Sequence, residues 1–312
     1  MKYYHQPVLL EEILYYLNPQ PNQNFVDCTV GGGGHAQAIL EKTAPNGLLL
    51  GLDRDPAAIA AAKNNLKNYQ NRLILIQGSY KNINKIIYDQ KRFLHCRGIL
   101  LDLGLSSYQV SAEEQRGFSF KTDTALDMRF GPDSDLTAFE IVNNYPERKL
   151  AEIFKNYGEE PRAKQIAKNI ALFRKKAPIR TTFELMGTIN SAIQGRPGGL
   201  HPATKVFQAL RIAVNSELDV IAEALPKLVG VLVPSGRLAV ISYHSLEDRI
   251  AKQFFKKESA GCLCPPQQPI CTCQHQPIIK VINKKVITPG LAEVRKNPRS
   301  RSAKLRVAEK LY

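Results

Sequence analysis

Short apolar runs alternate with helix-length amphipathic stretches along the first hundred residues. Residues 24–28 form an apolar run that passes through Gly31, Gly32, Gly33 and Gly34 into a helical stretch over 35–42. A second run at 48–52 precedes an alanine-rich helix over 56–66, and runs at 72–76 and 98–103 flank a crossover helix over 81–88. Continuous apolar runs mark strands buried on both faces, so the pattern predicts a doubly wound α/β sheet.

After residue 103 the period changes. Between 111 and 215 no segment reads as a strand, while 147–156, 163–174, 182–193 and 202–214 read as helices. Pro202 opens the last of these, and Val206, Phe207, Leu210 and Val214 then fall on one face. A helix over 217–229, a strand over 236–241 and a helix over 246–255 resume the earlier pattern, and 278–287 alternates enough for a hairpin or edge strand. The expected organisation is a first core part (1–110), a helical insertion (111–215), and a second core part (216–312) with a cysteine-containing loop and a basic tail.

Composition narrows the class. A chain of 312 residues with 44% hydrophobic content can bury a large core, which excludes a small disulfide-stapled scaffold. Lys and Arg outnumber Asp and Glu by 43 to 28, for a formal charge of +15. Such a surface attracts polyanions, although a merely solvated basic surface is the plainer reading. Neither a signal-peptide pattern nor an apolar stretch of about 20 residues is present, so the expectation is a cytoplasmic protein with no membrane partner. Cys28 and Cys96 lie in apolar segments, where reduced, buried thiols are expected. Nothing in the pattern fixes an oligomeric state, and a homodimer stays open.

The candidate chemistry gathers at the ends of the predicted strands. In Asp27-Cys28-Thr29-Val30-Gly31-Gly32-Gly33-Gly34-His35, a strand ends at a carboxylate and runs through glycines into a helix. Backbone amides in such a loop can approach a ligand at the positive end of a helix. Gly31, Gly33 and Ala36 also satisfy a dinucleotide fingerprint, so NAD is a competing ligand, and a plain strand-to-helix turn is the bland alternative. Asp53 ends the second run where doubly wound folds place a carboxylate against ribose hydroxyls, while Asp55 before Pro56 suits helix capping. Tyr80 and Asp102 follow the third and fourth runs. Tyr80 could flank adenine or be a half-buried tyrosine with a wet hydroxyl. Asp102, in an apolar strand terminus, needs a ligand, amide or cation as partner, with a structural cap as the alternative.

These residues, with the stretches 52–56, 100–107, 116–120, 126–129, 157–160, 201–204, 214–218, 242–249 and 297–300, resemble the bacterial 16S ribosomal RNA cytosine-N4 methyltransferase family nearly end to end. The stretch Ser242-Tyr243-His244-Ser245-Leu246-Glu247-Asp248-Arg249 is among the most distinctive. The resemblance implies a class I (Rossmann-like) S-adenosylmethionine-dependent methyltransferase core with a helical insertion domain. The substrate it implies is the exocyclic N4 amine of a decoding-centre cytidine of 16S rRNA in the small ribosomal subunit. Carried over by position, cofactor contacts are expected from Gly33, Gly34, His35, Asp53, Tyr80, Asp102 and Gln109. Tyr80 stands where phenylalanine is frequent, and Thr29 replaces the first glycine of the general methyltransferase loop.

A sulfonium methyl is already activated, so such a site mainly aligns a nucleophile and excludes water. Asp102 and the carbonyls of 103–105 are the candidates for orienting a cytosine amine. Tyr243 and His244 could flank the flipped base or relay its proton, or His244 could simply bond Glu247 or Asp248 within the turn. Arg116 and Arg129 could grip RNA phosphates with Phe118 and Phe120 as stacking surfaces, or these aromatics could form the core of the insertion. In the final segment Arg295, Lys296, Arg299, Arg301, Lys304 and Arg306 could contact the RNA backbone or simply form a solvated basic face. Cys262-Leu263-Cys264 and Cys271-Thr272-Cys273 form two CxC pairs, which could supply thiolates to zinc or be reduced structural thiols. The spacing is not the usual CxxC, and no metal is assigned on sequence grounds. An NAD-dependent oxidoreductase and a non-catalytic ribosome-binding factor are the competing functional readings.

Overall fold

Consecutive residues of each central strand enter opposite layers of apolar packing. Val26, Leu50, Leu52, Ile99, Leu101, Leu238 and Val240 pack on one face of the sheet, and their neighbours Phe25, Leu49, Leu100, Ala239 and Ile241 on the other. This period of two explains why the strands read as unbroken apolar runs. The computed structural model describes residues 7–104, 116–132, 134–193, 202–265, 267–268 and 270–312. Seven strands form the sheet: β1 (Asn24–Asp27), β2 (Leu49–Asp53), β3 (Leu73–Gln77), β4 (Cys96–Asp102), β5 (Leu232–Ser242), β6 (Ile279–Val281) and β7 (Lys304–Lys310). Their order is β3-β2-β1-β4-β5-β7-β6, with β7 antiparallel to both neighbours.

The chain divides into two units, one of residues 1–107 and 218–312 and one of 108–217. In the first, helices cover both faces of the sheet. α1 (Leu10–Leu17) and α2 (Gly34–Lys42) lie on the Phe25 face through Ile13, Leu17, Ile39 and Leu40, beside α3 (Pro56–Asn65). The Val26 face is covered by α4 (Ile83–Asp89), α10 (Glu217–Val231) and α11 (Ser245–Glu258), through Ile87, Leu225, Leu228 and Phe255. Asp55 caps α3 by accepting from the Ala57 amide at 3.0 Å, with Pro56 in the first turn, as the sequence reading expects.

Several elements differ from the sequence reading. α1 and the helices over 138–144 and 291–296 are absent from it, and the presumed basic tail is largely the strand β7, inserted between β5 and β6. Leu305 and Val307 enter one core layer and Ala308 the other. The edge strand β6 is also shorter than the 278–287 alternation suggests. Arg306 is therefore not an outward-facing cation: its Nε and Nη2 donate to both carboxylate oxygens of Asp248 at 2.7 and 3.1 Å.

In the second unit α5 (Ala138–Asn144), α6 (Glu147–Asn156), α7 (Ala163–Phe173), α8 (Thr182–Ala192) and α9 (Pro202–Asn215) surround Ile141, Leu150, Phe154, Ile166, Leu185 and Leu210. Thr137 with Glu140, and Thr181 with Glu184, form capping boxes that start α5 and α8. A short last helix, α12 (Leu291–Lys296), precedes β7 in the first unit. No helix among the described residues is long and apolar enough to cross a membrane.

Candidate active site at the strand tips

Three parallel strands, β2, β1 and β4, lie side by side and each ends in an aspartate: Asp53, Asp27 and Asp102. Strand order reverses between β1 and β4, and in open α/β sheets ligands bind outside the carboxyl ends at that switch point. Backbone amides and one hydroxyl hold the cluster together. Asp27 Oδ1 accepts from the Thr29 amide at 3.1 Å, and Asp53 accepts from the amides of Gly31 and Asp55 at 3.1 and 2.9 Å. Thr29 Oγ1 accepts from the Asp102 amide at 2.8 Å, which ties the glycine loop to the tip of β4.

The loop geometry requires glycine. Gly31 and Gly33 have φ of +50° and +86°, and a Cβ on Gly33 would stand 2.7 Å from Leu66 Cδ1. Gly33 is the N-cap of α2 and has no side chain to satisfy the first turn, so the helix presents its amides at the strand tips. His35, in that first turn, is buried, and its Nε2 lies 2.9 Å from the Val8 carbonyl. A carbonyl only accepts, so Nε2 carries the proton. Nδ1 then faces Asp102 Oδ2 at 3.8 Å.

Asp102 receives the Tyr243 hydroxyl at 2.9 Å on Oδ1. Glu247, buried in the first turn of α11, fixes Tyr243 in turn, because its Oε2 accepts from the amides of Tyr243 and His244 at 2.8 and 3.3 Å. His244 is the N-cap of α11, its Nδ1 accepting from the Glu247 amide at 3.4 Å while Nε2 lies 3.1 Å from Glu247 Oε1. Nδ1 is thus engaged as the cap of the strand-to-helix turn, while Nε2 is buried beside Glu247 Oε1 without hydrogen-bond geometry.

Burial dominates the electrostatics. It pushes Asp27 up to about 7, against the Thr29 amide and with help from the charge of Asp53. Asp53 rises to about 6 for the same reason, opposed by the amides of Asp55 and Gly31. Asp102 rises to about 8 through burial, opposed by the Tyr243 hydroxyl and reinforced by Asp27 and Glu247. Three crowded carboxyls stabilised by amides and a hydroxyl suit a cationic ligand that also offers hydroxyls.

The remaining sequence-predicted residues are distributed as follows. Tyr80 opens a 3-10 turn capped by Ser79, and its half-buried ring packs on the Val26 face of the sheet. The Gly78 amide donates to the Asp53 carbonyl at 2.8 Å, which sets that turn next to the tip of β2. Gln109 lies outside the described residues, as does Leu105. Arg116, Phe118 and Arg129 belong to the second unit. Arg129 makes a two-bond pair with Asp127 at 2.8 Å for each bond, and Arg116 donates to the carbonyls of Arg129 and Phe130. Phe118 stacks on Phe130 at 5.7 Å, and Phe120 meets Phe207 edge-on at 5.3 Å. Arg299 and Arg301 are exposed on the 3-10 turn Pro298–Ser302. Sequence reasoning left Asp27 and Thr29 without roles, and of its two partners for His244 in the turn the structure has Glu247. Asp27 carried the same signal as Asp53 and Asp102, a carboxylate closing an apolar run.

The model of the family described as "MraW methylase family" matches residues 2–311. The chain belongs to the MraW methylase family. It is 49% identical over 311 residues to ribosomal RNA small subunit methyltransferase H of Dehalococcoides mccartyi, covering 100% of this chain and 88% of that protein. Its identity to the protein of the same name from Heliobacterium mobile is 47% over 313 residues, covering 100% of both. The methylase has the class I, Rossmann-like fold, and its cofactor is S-adenosylmethionine, which replaces NAD as the reading of the glycine loop. The strand tips fit that group: Asp53, which accepts from the amides of Gly31, Asp55 and Arg54, keeps acceptor capacity on its carboxylate for a ribose hydroxyl, and the carboxyl cluster suits a positively charged sulfur.

Proposed function

We propose that this methylase transfers the methyl group of S-adenosylmethionine to the exocyclic N4 amine of a decoding-centre cytidine in 16S ribosomal RNA. The observation that carries the chemistry is Asp102 at the switch point, with Oδ1 holding the Tyr243 hydroxyl and Oδ2 on its other side. The choice of amine and base rests on the family resemblance read from the sequence, and the relatives carry the name of small-subunit ribosomal RNA methyltransferases. The bound cofactor supplies a methyl group already activated by positive charge on sulfur.

The chain supplies orientation and a place for one proton. A cytosine amine is a weak nucleophile because its lone pair is conjugated with the ring, so an acceptor for one amine hydrogen favours the reactive geometry. Asp102 Oδ2 is that acceptor. Its carboxyl, pushed up to about 8, is also matched to take the proton that the methylated amine releases near neutral pH. Asp53 and the loop from Gly31 to Gly34 bind the nucleoside end of the cofactor, Tyr80 flanks its adenine, and Gln109 and His35 complete the contacts. Tyr243 and His244 stand at the base side, the first through its hydroxyl and the second by fixing the turn. The insertion, with Arg116, Phe118 and Arg129, recognises the RNA substrate together with Arg299 and Arg301. Residues 252–312 hold 13 Lys and Arg against three Glu, so positive charge is concentrated where those last two arginines lie.

Labelled methyl transfer from S-adenosylmethionine to small ribosomal subunits from cells lacking the protein tests the proposal. Wild-type protein labels the subunits, and Asp102→Asn binds cofactor by calorimetry but transfers at most about one hundredth as fast. Full-rate transfer by Asp102→Asn, or absence of label with wild type, contradicts it.

A further inference from the structure

Between α11 and β6 lies a segment that no core holds. Among the described residues of 259–277 none is buried and none belongs to a helix or strand, and the two large apolar side chains, Leu263 and Ile270, are 42% and 74% exposed. Its ends are pinned, since the Ile278 amide donates to the Glu258 carbonyl at 3.0 Å. Within it four sulfurs converge.

The Sγ atoms of Cys262, Cys264, Cys271 and Cys273 all lie within 4.8 Å of one another. Cys262 is 3.4 Å from Cys271 and 3.8 Å from Cys273, and the last two are 3.6 Å apart. Two separate thiol pairs would not place Cys262 close to both partners. A tetrahedral zinc site with Zn–S bonds of about 2.3 Å sets its sulfurs about 3.8 Å apart, close to these spacings. Backbone amides also point at the sulfurs, as thiolates require: Cys264 N donates to Cys262 Sγ at 3.4 Å, Leu263 N to Cys273 Sγ at 3.3 Å and Thr272 N to Cys264 Sγ at 3.4 Å.

We propose that Cys262, Cys264, Cys271 and Cys273 bind one zinc ion as a closed tetrathiolate centre that folds this loop. Four protein sulfurs leave no open position, so the ion is structural and takes no part in methyl transfer. His275 is outside the ligand set, its Nε2 lying 3.1 Å from the Lys257 carbonyl. Soft thiolates in a tetrahedron select zinc over the hard cations. The ion stands in for the apolar core that the segment lacks, as in small domains held by metal. Two CxC turns six residues apart, an unusual spacing, are what bring the sulfurs together.

The test is elemental analysis of the full-length protein, purified under reducing conditions without added metal or chelator. About one zinc per chain is expected, with the Cys262→Ser/Cys271→Ser variant holding at least about tenfold less. S-adenosylmethionine affinity, measured by calorimetry on the same variant, stays unchanged and shows that its core is folded. On the wild-type protein, a thiol reagent is expected to reach none of the four sulfurs until a chelator removes the ion, and cobalt(II) then restores the intense visible bands of a tetrathiolate. Zinc-free protein with four titratable thiols and no such cobalt spectrum overturns the proposal, as does iron in place of zinc.

Discussion

The hydroxyl of Tyr243 donates to Asp102 Oδ1 across 2.9 Å, joining the tips of β5 and β4. Burial drives the Asp102 carboxyl up and this hydrogen bond opposes it, so the phenol sets how readily the carboxylate forms. Tyr243→Phe removes the opposing bond. The acidic limb of the pH–rate profile is then expected at higher pH, with single-turnover rates depressed at pH 7 and recovering in more alkaline buffer. A parallel loss at all pH values would show that the hydroxyl acts by another route.

Cofactor affinity is expected to rise with pH. Asp27, Asp53 and Asp102 have carboxyls raised to about 7, 6 and 8, chiefly by burial, so the folded protein holds their protons more tightly than the unfolded chain. Their contribution to stability is present below the usual carboxylate range and is lost as pH rises through 6 to 8. Ionisation over that window creates the charge that attracts a sulfonium. Calorimetry in buffers of different ionisation enthalpy should show tighter S-adenosylmethionine binding at pH 8 than at pH 6, with proton release. S-adenosylhomocysteine, whose sulfur is neutral, should show a shallower dependence, and equal slopes for the two ligands would contradict the charge argument.

Gly33→Ala places a Cβ at φ of +86°, 2.7 Å from Leu66. A loss of about 1–2 kcal/mol in stability is expected from the backbone alone, together with weakened cofactor binding. Gly78 has nothing within 4 Å of a Cβ and no positive φ, so Gly78→Ala should change stability by less than about 0.5 kcal/mol. Denaturation and calorimetry on the two variants provide the comparison.

Arg299 and Arg301 are exposed, whereas Arg129 is bonded to Asp127. Replacing both exposed arginines by alanine should weaken rRNA binding and lower the slope of log affinity against log salt by about two, leaving cofactor affinity intact. Arg129→Ala should weaken rRNA binding too, but with a lowered thermal stability of the second unit beside it, because its pair with Asp127 is lost, so a melting curve distinguishes it from the two exposed arginines.

Much of the core was legible because strands buried on both faces must read as apolar runs, and because a carboxylate closing such a run has few structural reasons to be there. Four helices of the insertion were legible through amphipathic period, the last also through Pro202 at its start, whereas the helix over 138–144, two turns long, was not. Strand β7 was hidden: Leu305 and Val307 alternate with Lys304 and Arg306, Glu309 follows on the Leu305 side, and the charges masked a strand covered on both faces. Arg306 looked like an RNA contact because its partner Asp248 is 58 residues away in sequence. The Tyr243–Asp102 pair, 141 residues apart, has no local signature at all. Only the sheet register, which sets Asp102 beside Ile241, brings them together.

The most direct measurement is nucleoside mass spectrometry of small-subunit rRNA after incubation with the purified protein and a cofactor carrying a heavy methyl group. N4-methylcytidine bearing that label, at a single decoding-centre position and absent with Asp102→Asn, is the expected result. A heavy methyl on another base or on ribose, or none on the RNA, would contradict the account.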